Sequence, residues 1–211
     1  MAFSSADAIA DRLALQVIAE GARLLPPSWN VAPTNLIKII SPDHKLEVAR
    51  WGLQPPWTTS GSGLINARIE TAATKPAFAS AFGKRRCIVP VDGYYEWQKT
   101  PDGKQPWFIS GLNDPLYFAG IYNISINGEM NVAILTMPTS PDIADIHHRM
   151  PISFQPDLFA RWLSGTPDEA SDLVAVADQH FTKYLVSKDV NSVRNDGPQL
   201  IAPVNLELTL F

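Results

Sequence analysis

Ile9, Leu13 and Val17 recur at a spacing of four while Asp11, Arg12 and Glu20 fall on other faces, and Ser4 stands three residues before Asp7 in the manner of a capping box. The pattern predicts an amphipathic helix over about residues 6–22, stopped by Pro26 and Pro27. After a loop at 30–34, residues 36–40 and 48–53 are short β-rich runs, the second broken by Pro55 and Pro56. The Ser/Thr/Gly-rich stretch 58–63 is expected to be a mobile surface loop, and Pro76 suits the first turn of a helix over 76–82. Residues 87–98 are apolar, β-branched and aromatic; a turn at 100–103 and a return run at 107–110 make a hairpin. Two further strands, 116–121 and 132–137, join around Asn127 and Gly128. Short helices are expected over 140–147 and over 157–163, the latter ending near Gly165, and 183–204 reads as irregular with one or two short strands. Strands without βα alternation define the α+β class: a single domain over 1–211, with an antiparallel or mixed barrel-like sheet flanked by short helices.

Composition narrows the chemistry. The chain has 211 residues, 45% of them hydrophobic, enough to bury a core. Its one cysteine, Cys87, excludes an internal disulfide, and no Cys/His spacing suits a metal, so no metal site and no cofactor is expected. No run approaches the ~18 apolar residues of a spanning helix, and no basic segment followed by an apolar one opens the chain; no membrane association and a cytoplasmic location are expected. The net charge of −4 argues against indiscriminate coating of nucleic acid. That charge is uneven, +3 over residues 1–100 and −7 over 101–211. The segment 64–86 sets Arg68, Lys75, Lys84, Arg85 and Arg86 against Glu70 alone, which is either a solvated face or a patch for an anionic partner.

Three constellations carry candidate chemistry. Asn66, Arg68 and Glu70 alternate, so in a strand they share a face, where they either bind a phosphate or sugar, with Glu70 orienting Arg68, or form a solvent-facing edge with an ion pair. Glu96 lies among aromatic and apolar residues in Asp92-Gly93-Tyr94-Tyr95-Glu96-Trp97; a carboxylate partly withdrawn from water suits general acid or base work, and the alternative is an edge-strand carboxylate facing solvent. Asp92-Gly93 alone reads as turn chemistry. His147 and His148 point opposite ways in an extended segment, so at most one joins Glu96 as a proton shuttle. Cys87, preceded by Arg85 and Arg86 but followed by Ile88 and Val89, reads as a buried structural thiol ahead of a nucleophile.

In order and spacing, six stretches resemble one family over nearly the whole chain. They are Trp29-Asn30-Val31-Ala32-Pro33-Thr34, Trp51-Gly52-Leu53 with Pro56-Trp57, Ile65 to Thr71, Arg86 to Trp97, Ile146-His147-His148-Arg149-Met150-Pro151, and Val190-Asn191 with Asn195 and Gly197-Pro198. The family is that of the SOS response-associated peptidases, which includes abasic-site-sensing proteins. The resemblance implies recognition of abasic sites in single-stranded DNA or at its junction with duplex, by a monomer that is associated with the nucleoid if the source is bacterial. It implies a stable crosslink in which an N-terminal cysteine's amine forms a Schiff base with the opened sugar and its thiol closes a thiazolidine. By motif position, Asn66 would hold the sugar or amine, Glu96 would serve the proton transfers and His147 would shuttle protons at the sugar oxygen. Arg68 and Arg149 would bind phosphates, Trp51 and Trp57 would stack on the strand, and Asn30, Arg85 and Arg86 would complete the DNA face.

The chain departs from that pattern at two places. The family opens Met-Cys-Gly-Arg-aromatic, whereas this sequence reads Met1-Ala2-Phe3-Ser4. Because Ala2-Phe3-Ser4-Ser5 is similar to the stretch after that opening, the expectation is a loss of about four residues, displacing the amine by up to ~14 Å. Crosslinking is then expected to fail. His148 stands where the family has an aspartate. Two other readings stay open: a peptidase or self-processing enzyme using Glu96 and His147, and a non-catalytic module that binds single-stranded DNA.

Overall fold

A computed structural model describes residues 2–55, 57–58, 61, 63–112, 115–178 and 180–204. In chain order its strands are β1 (Val17–Ile18), β2 (Leu36–Ile40), β3 (Lys45–Trp51), β4 (Asn66–Arg68), β5 (Arg86–Val91), β6 (Tyr94–Thr100), β7 (Gly103–Gly111), β8 (Leu116–Ile124), β9 (Met130–Pro138), β10 (Arg149–Pro151) and β11 (Phe181–Leu185). The helices are α1 (Ala6–Leu13), α2 (Glu20–Leu24), α3 (Ile69–Ala72), α4 (Ala79–Lys84), α5 (Phe159–Ser164) and α6 (Pro167–Asp172).

Strands β3, β2, β5, β8 and β9 pair in that order, and β3 returns to β9 in parallel through Arg50–Asn131 and Trp51–Val132. The ring is a mixed five-stranded barrel, and closure removes the edges that an open sheet would expose. β1, β4 and β10 attach to it, while β11, β7 and β6 form a separate antiparallel sheet. This is the expected α+β fold. The alternation within β5 explains its burial at all six positions. Cys87, Val89 and Val91 pack with Ile37, Ile39 and Val132, whereas Ile88 packs on the opposite side with Phe82, Phe154 and Trp162. Gly120 lets the first set close up, since a Cβ there would lie 2.8 Å from the Cys87 sulfur and 3.2 Å from both Val89 and Val132.

Arg86 is the largest departure from the sequence reading. It is 3% exposed, and its Nε donates to the Trp162 carbonyl at 2.5 Å, Nη1 to that of Phe82 at 2.7 Å, and Nη2 to that of Gly165. The guanidinium also lies 5.7 Å from the Trp162 ring centre. Its expected role on a DNA face is therefore corrected: it staples α4 and α5 to β5. Arg85 is likewise committed, to the Tyr122 carbonyl and to the side chains of Asn123 and Ser80. The basic segment thus gives Arg86 to the interior, while the half-buried Arg85 is tied to Tyr122 and Asn123.

Other elements move for local reasons. The helix expected over 6–22 ends at Leu13, because Ala14 adopts a left-handed conformation (φ 52°) and its N–H caps the Ala10 and Asp11 carbonyls. Residues 17 and 18 then pair with Lys45 and Leu46, and α2 begins anew. The cap of α1 is Ser5, which accepts from the Ala8 N–H; Ser4 is used elsewhere. The helix foreseen at 76–82 is α4, three residues later, and the one at 140–147 shrinks to a 3₁₀ turn, Pro141–Ile143. The run 87–98 splits at Asp92 and Gly93 into strands of different sheets. Of the loop expected at 58–63, residues 59, 60 and 62 lie outside the described residues, as does Pro56.

Arg86→Met retains most of the buried volume but takes their Arg86 donors from two buried carbonyls and one half-buried one. It is expected to lower the unfolding free energy by about 3 kcal/mol, read from urea denaturation. A loss below ~1 kcal/mol would mean that these carbonyls find other partners.

Candidate functional site

The chain leaves the barrel at Asp92 and Gly93. A Cβ on Gly93 would sit 2.4 Å from the Phe108 ring and 2.8 Å from the Ile109 carbonyl, so only glycine allows β6 to cross this close to β7. Crossing there brings Glu96 over the mouth of the barrel. Between the mouth and β6 lies a pocket of about 460 Å³ whose floor is apolar, including Ile37, Val89, Phe118 and Ile134. Into it converge Asn66, Glu96, His147, Arg149 and Ala2. An apolar cavity with a few convergent polar groups is the ordinary form of a small-molecule or reaction site.

Each polar group is held by its own element. Asn66 pairs with Ile134 at the start of β4 and is exposed; its side-chain amide takes no hydrogen bond among the described residues. Glu96 Oε1 accepts from the Trp97 N–H at 3.0 Å, and Oε2 lies 3.7 Å from His147 Nδ1. The loop carrying His147 is pinned to β6 by Gln98, which donates to the Asp145 carbonyl at 2.9 Å and accepts from the Trp107 indole at 3.1 Å. His147 Nδ1 lies 3.0 Å from the Arg149 carbonyl and 3.2 Å from the Arg149 N–H. One partner calls for a protonated Nδ1 and the other for a bare one, so the second ring nitrogen is acceptor in one tautomer and donor in the other. A carboxylate beside such a ring is equipped to move protons. The two histidines do not face opposite ways as expected; their rings lie 4.4 Å apart.

Glu70 also differs from expectation. It sits in α3, off the strand that carries Asn66 and Arg68, and its carboxylate is forked by Arg149, Nη1 to Oε1 at 2.6 Å and Nη2 to Oε2 at 3.0 Å. The hydrogen bond from Arg149 is the main cause that holds the Glu70 carboxyl below its usual range. Arg149 further donates to the Thr136 carbonyl at 2.6 Å, and its Nε is buried without a partner among the described residues.

The remaining predicted residues divide. Trp51 lines the pocket, its indole donating to the Ile65 carbonyl at 2.9 Å. Asn30 also lines it, but its amide nitrogen reaches the carbonyls of Val190, Ser192 and Asn195, so the amide clamps the segment that follows β11. Trp57, 65% exposed, and Arg68 stand on the surface outside the lining. Cys87 is fully buried and burial pushes its thiol up, away from the reactive thiolate form.

Three contributors escaped the sequence reading. Ala2 lines the pocket and forms a two-way bridge with Ser28, at 3.0 and 3.2 Å. Asp92 is an anchor for residues 3 and 4 as well as a turn residue. Tyr94 lines the pocket with a buried hydroxyl lacking a partner among the described residues, and burial pushes the phenol up, keeping it a donor. Among the described residues no three His, Cys, Asp or Glu side chains gather as a ligand set, and no helix is long and apolar enough to cross a membrane.

The SOS response associated peptidase (SRAP) family matches residues 1–193, and the chain belongs to it. It is 37% identical over 191 aligned positions, covering 83% of this chain and 85% of the relative, to the abasic site processing protein YoqW of Bacillus subtilis. To the abasic site processing protein YedK of Escherichia coli it is 34% identical over 188 positions, covering 83% and 84% of the two chains. A crystal structure of a protein from Bacteroides thetaiotaomicron superposes with a TM-score of 0.82 at 25% identity, covering 96% of this chain and 97% of that one.

In a carbon-13 NMR titration, the Glu70 carboxyl is expected to titrate below the ordinary glutamate range and to return to it in Arg149→Met. Because the folded-state value is the depressed one, the pair's contribution is present above the ordinary carboxylate range and lost as pH falls through the depressed value. A midpoint that Arg149→Met leaves unmoved would contradict the fork.

Proposed function

We propose that this protein acts on abasic sites in single-stranded DNA or at its junction with duplex, with the opened deoxyribose in the pocket at the barrel mouth. The observation that carries the reading is the convergence of Ala2, Asn66, Glu96 and His147 on one cavity. In this reading Asn66 holds the sugar oxygen, Glu96 moves protons at the reacting carbon, and His147 passes them to and from the sugar oxygen. Trp51 and Trp57 offer stacking surfaces, and Arg68 and Arg149 meet phosphates, Arg149 after release from Glu70. The protein works as a monomer in the cytoplasm, near the chromosome in a bacterial cell.

Residue 2 decides which chemistry follows. Alanine there has no thiol, so a thiazolidine cannot close on it. The unaltered chain is expected to bind an abasic oligonucleotide without a heat-stable adduct on a denaturing gel, and Ala2→Cys is expected to form one. In the Ala2→Cys background, Glu96→Gln or His147→Ala is expected to slow adduct formation by about a hundredfold. A heat-stable adduct from the unaltered chain, or none from an Ala2→Cys protein that binds the oligonucleotide, would overturn the reading. The Glu96–His147 pair beside residue 2 equally suits cleavage of a peptide bond near the N-terminus. Intact mass separates the two, since loss of the initiator methionine alone supports the DNA reading and loss of further residues supports self-processing.

A further inference from the structure

We propose that Asp92 is a positioning residue that straps the N-terminal segment so that residue 2 is held inside the pocket, facing Asn66, Glu96 and His147. The inference rests on the function proposed above for what that position does, but the strap itself is carried by separate contacts. The Asp92 carboxylate accepts from the Phe3 N–H at 2.9 Å, from the Ser4 N–H at 2.9 Å, and from the Ser4 hydroxyl. Three donors from two consecutive residues thus converge on one anion, nearly ninety positions away in sequence.

The other side of the segment is held as well. Lys38, 1% exposed in the middle of β2, brings its Nζ to within 3.4 Å of the Ser4 carbonyl and 3.5 Å of the Leu25 carbonyl. Burial lowers its pKa while the charge of Asp92 raises it, so the two ions support each other across Ser4. Phe3 stacks on Trp29 with ring centres 5.7 Å apart and planes 10° from parallel. Chain ends normally fray unless tied down. Here the Asp92, Lys38 and Trp29 contacts hold residues 3 and 4, next to residue 2, whose own backbone is bridged to Ser28 on the pocket wall. Asp92 also begins the turn that carries Glu96 over the barrel, so one corner sets both the position of residue 2 and that of the carboxylate meant to act on it.

The test uses Asp92→Asn and Ser4→Ala, each made in the unaltered chain and in Ala2→Cys. Asp92→Asn is expected to speed amide exchange at Phe3 and Ser4 about tenfold with the β5 amides unchanged, and Ser4→Ala to do so about threefold. In Ala2→Cys, Asp92→Asn is expected to slow single-turnover trapping of a saturating abasic oligonucleotide about tenfold while its affinity stays within about twofold. Unchanged exchange at Phe3 and Ser4, or affinity and trapping falling together, overturns the proposal. If Ala2→Cys fails to trap with Asp92 intact, the functional reading fails, and the exchange measurement still decides whether the strap exists.

Discussion

Everything at the site depends on a corner that admits no side chain. At Gly93 the chain passes from the closed barrel into the small sheet, so close to Phe108 and the Ile109 carbonyl that a Cβ would overlap both. A residue with a side chain there would push β6 away from β7, and with it Glu96 from His147. The barrel supplies the complementary constraint. Parallel pairing of Trp51 with Val132 closes the ring, and the closed ring fixes Asn66 on β4 through its own pairing with β9. The distances among the converging groups are therefore set by backbone pairings rather than by flexible side chains, which is how a scaffold preorganises chemistry.

The electrostatics of the pocket follow from its neighbours. Its walls are mostly apolar, so the few polar groups act in a medium where charge interactions are stronger than in water. Arg149 is the cation at the wall, and Glu70 already neutralises it, which lets a guanidinium stand beside an apolar floor. A phosphate that displaced Glu70 would meet a fork already shaped for two oxygens. The modest net charge of −4 fits a protein that reads a lesion through a pocket better than one that coats the backbone of nucleic acid.

Much of this was legible in the chain. Local signals located β2, the hairpin of β6 and β7, the turn at Asn127 and Gly128, and the end of α5 at Gly165, because short-range pattern and turn chemistry dominate there. Residue chemistry suggests that Glu96 meets one of the two histidines, but the choice of His147 and the addition of Asn66 are legible only through family resemblance, since no local pattern links positions 66, 96 and 147. What the pattern missed depended on partners far away in sequence. The helical period of residues 9–17 persists to Val17, yet pairing with β3 claims that residue for a strand. Arg86 reads as a surface cation until three carbonyls from α4, α5 and the residue after α5 surround it. Spacing points Glu70 to Arg68, two positions away, while its partner Arg149 lies 79 residues on.

Whether the barrel mouth receives the damaged sugar with residue 2 beside it is decided by a crystal structure of the protein with a single-stranded oligonucleotide containing a tetrahydrofuran abasic analogue. The analogue ring is expected inside the pocket, within hydrogen-bonding reach of Asn66 and Glu96, with Ala2 against it and the strand leaving past Arg68. An oligonucleotide bound on another face, with no sugar in the pocket, would contradict that placement.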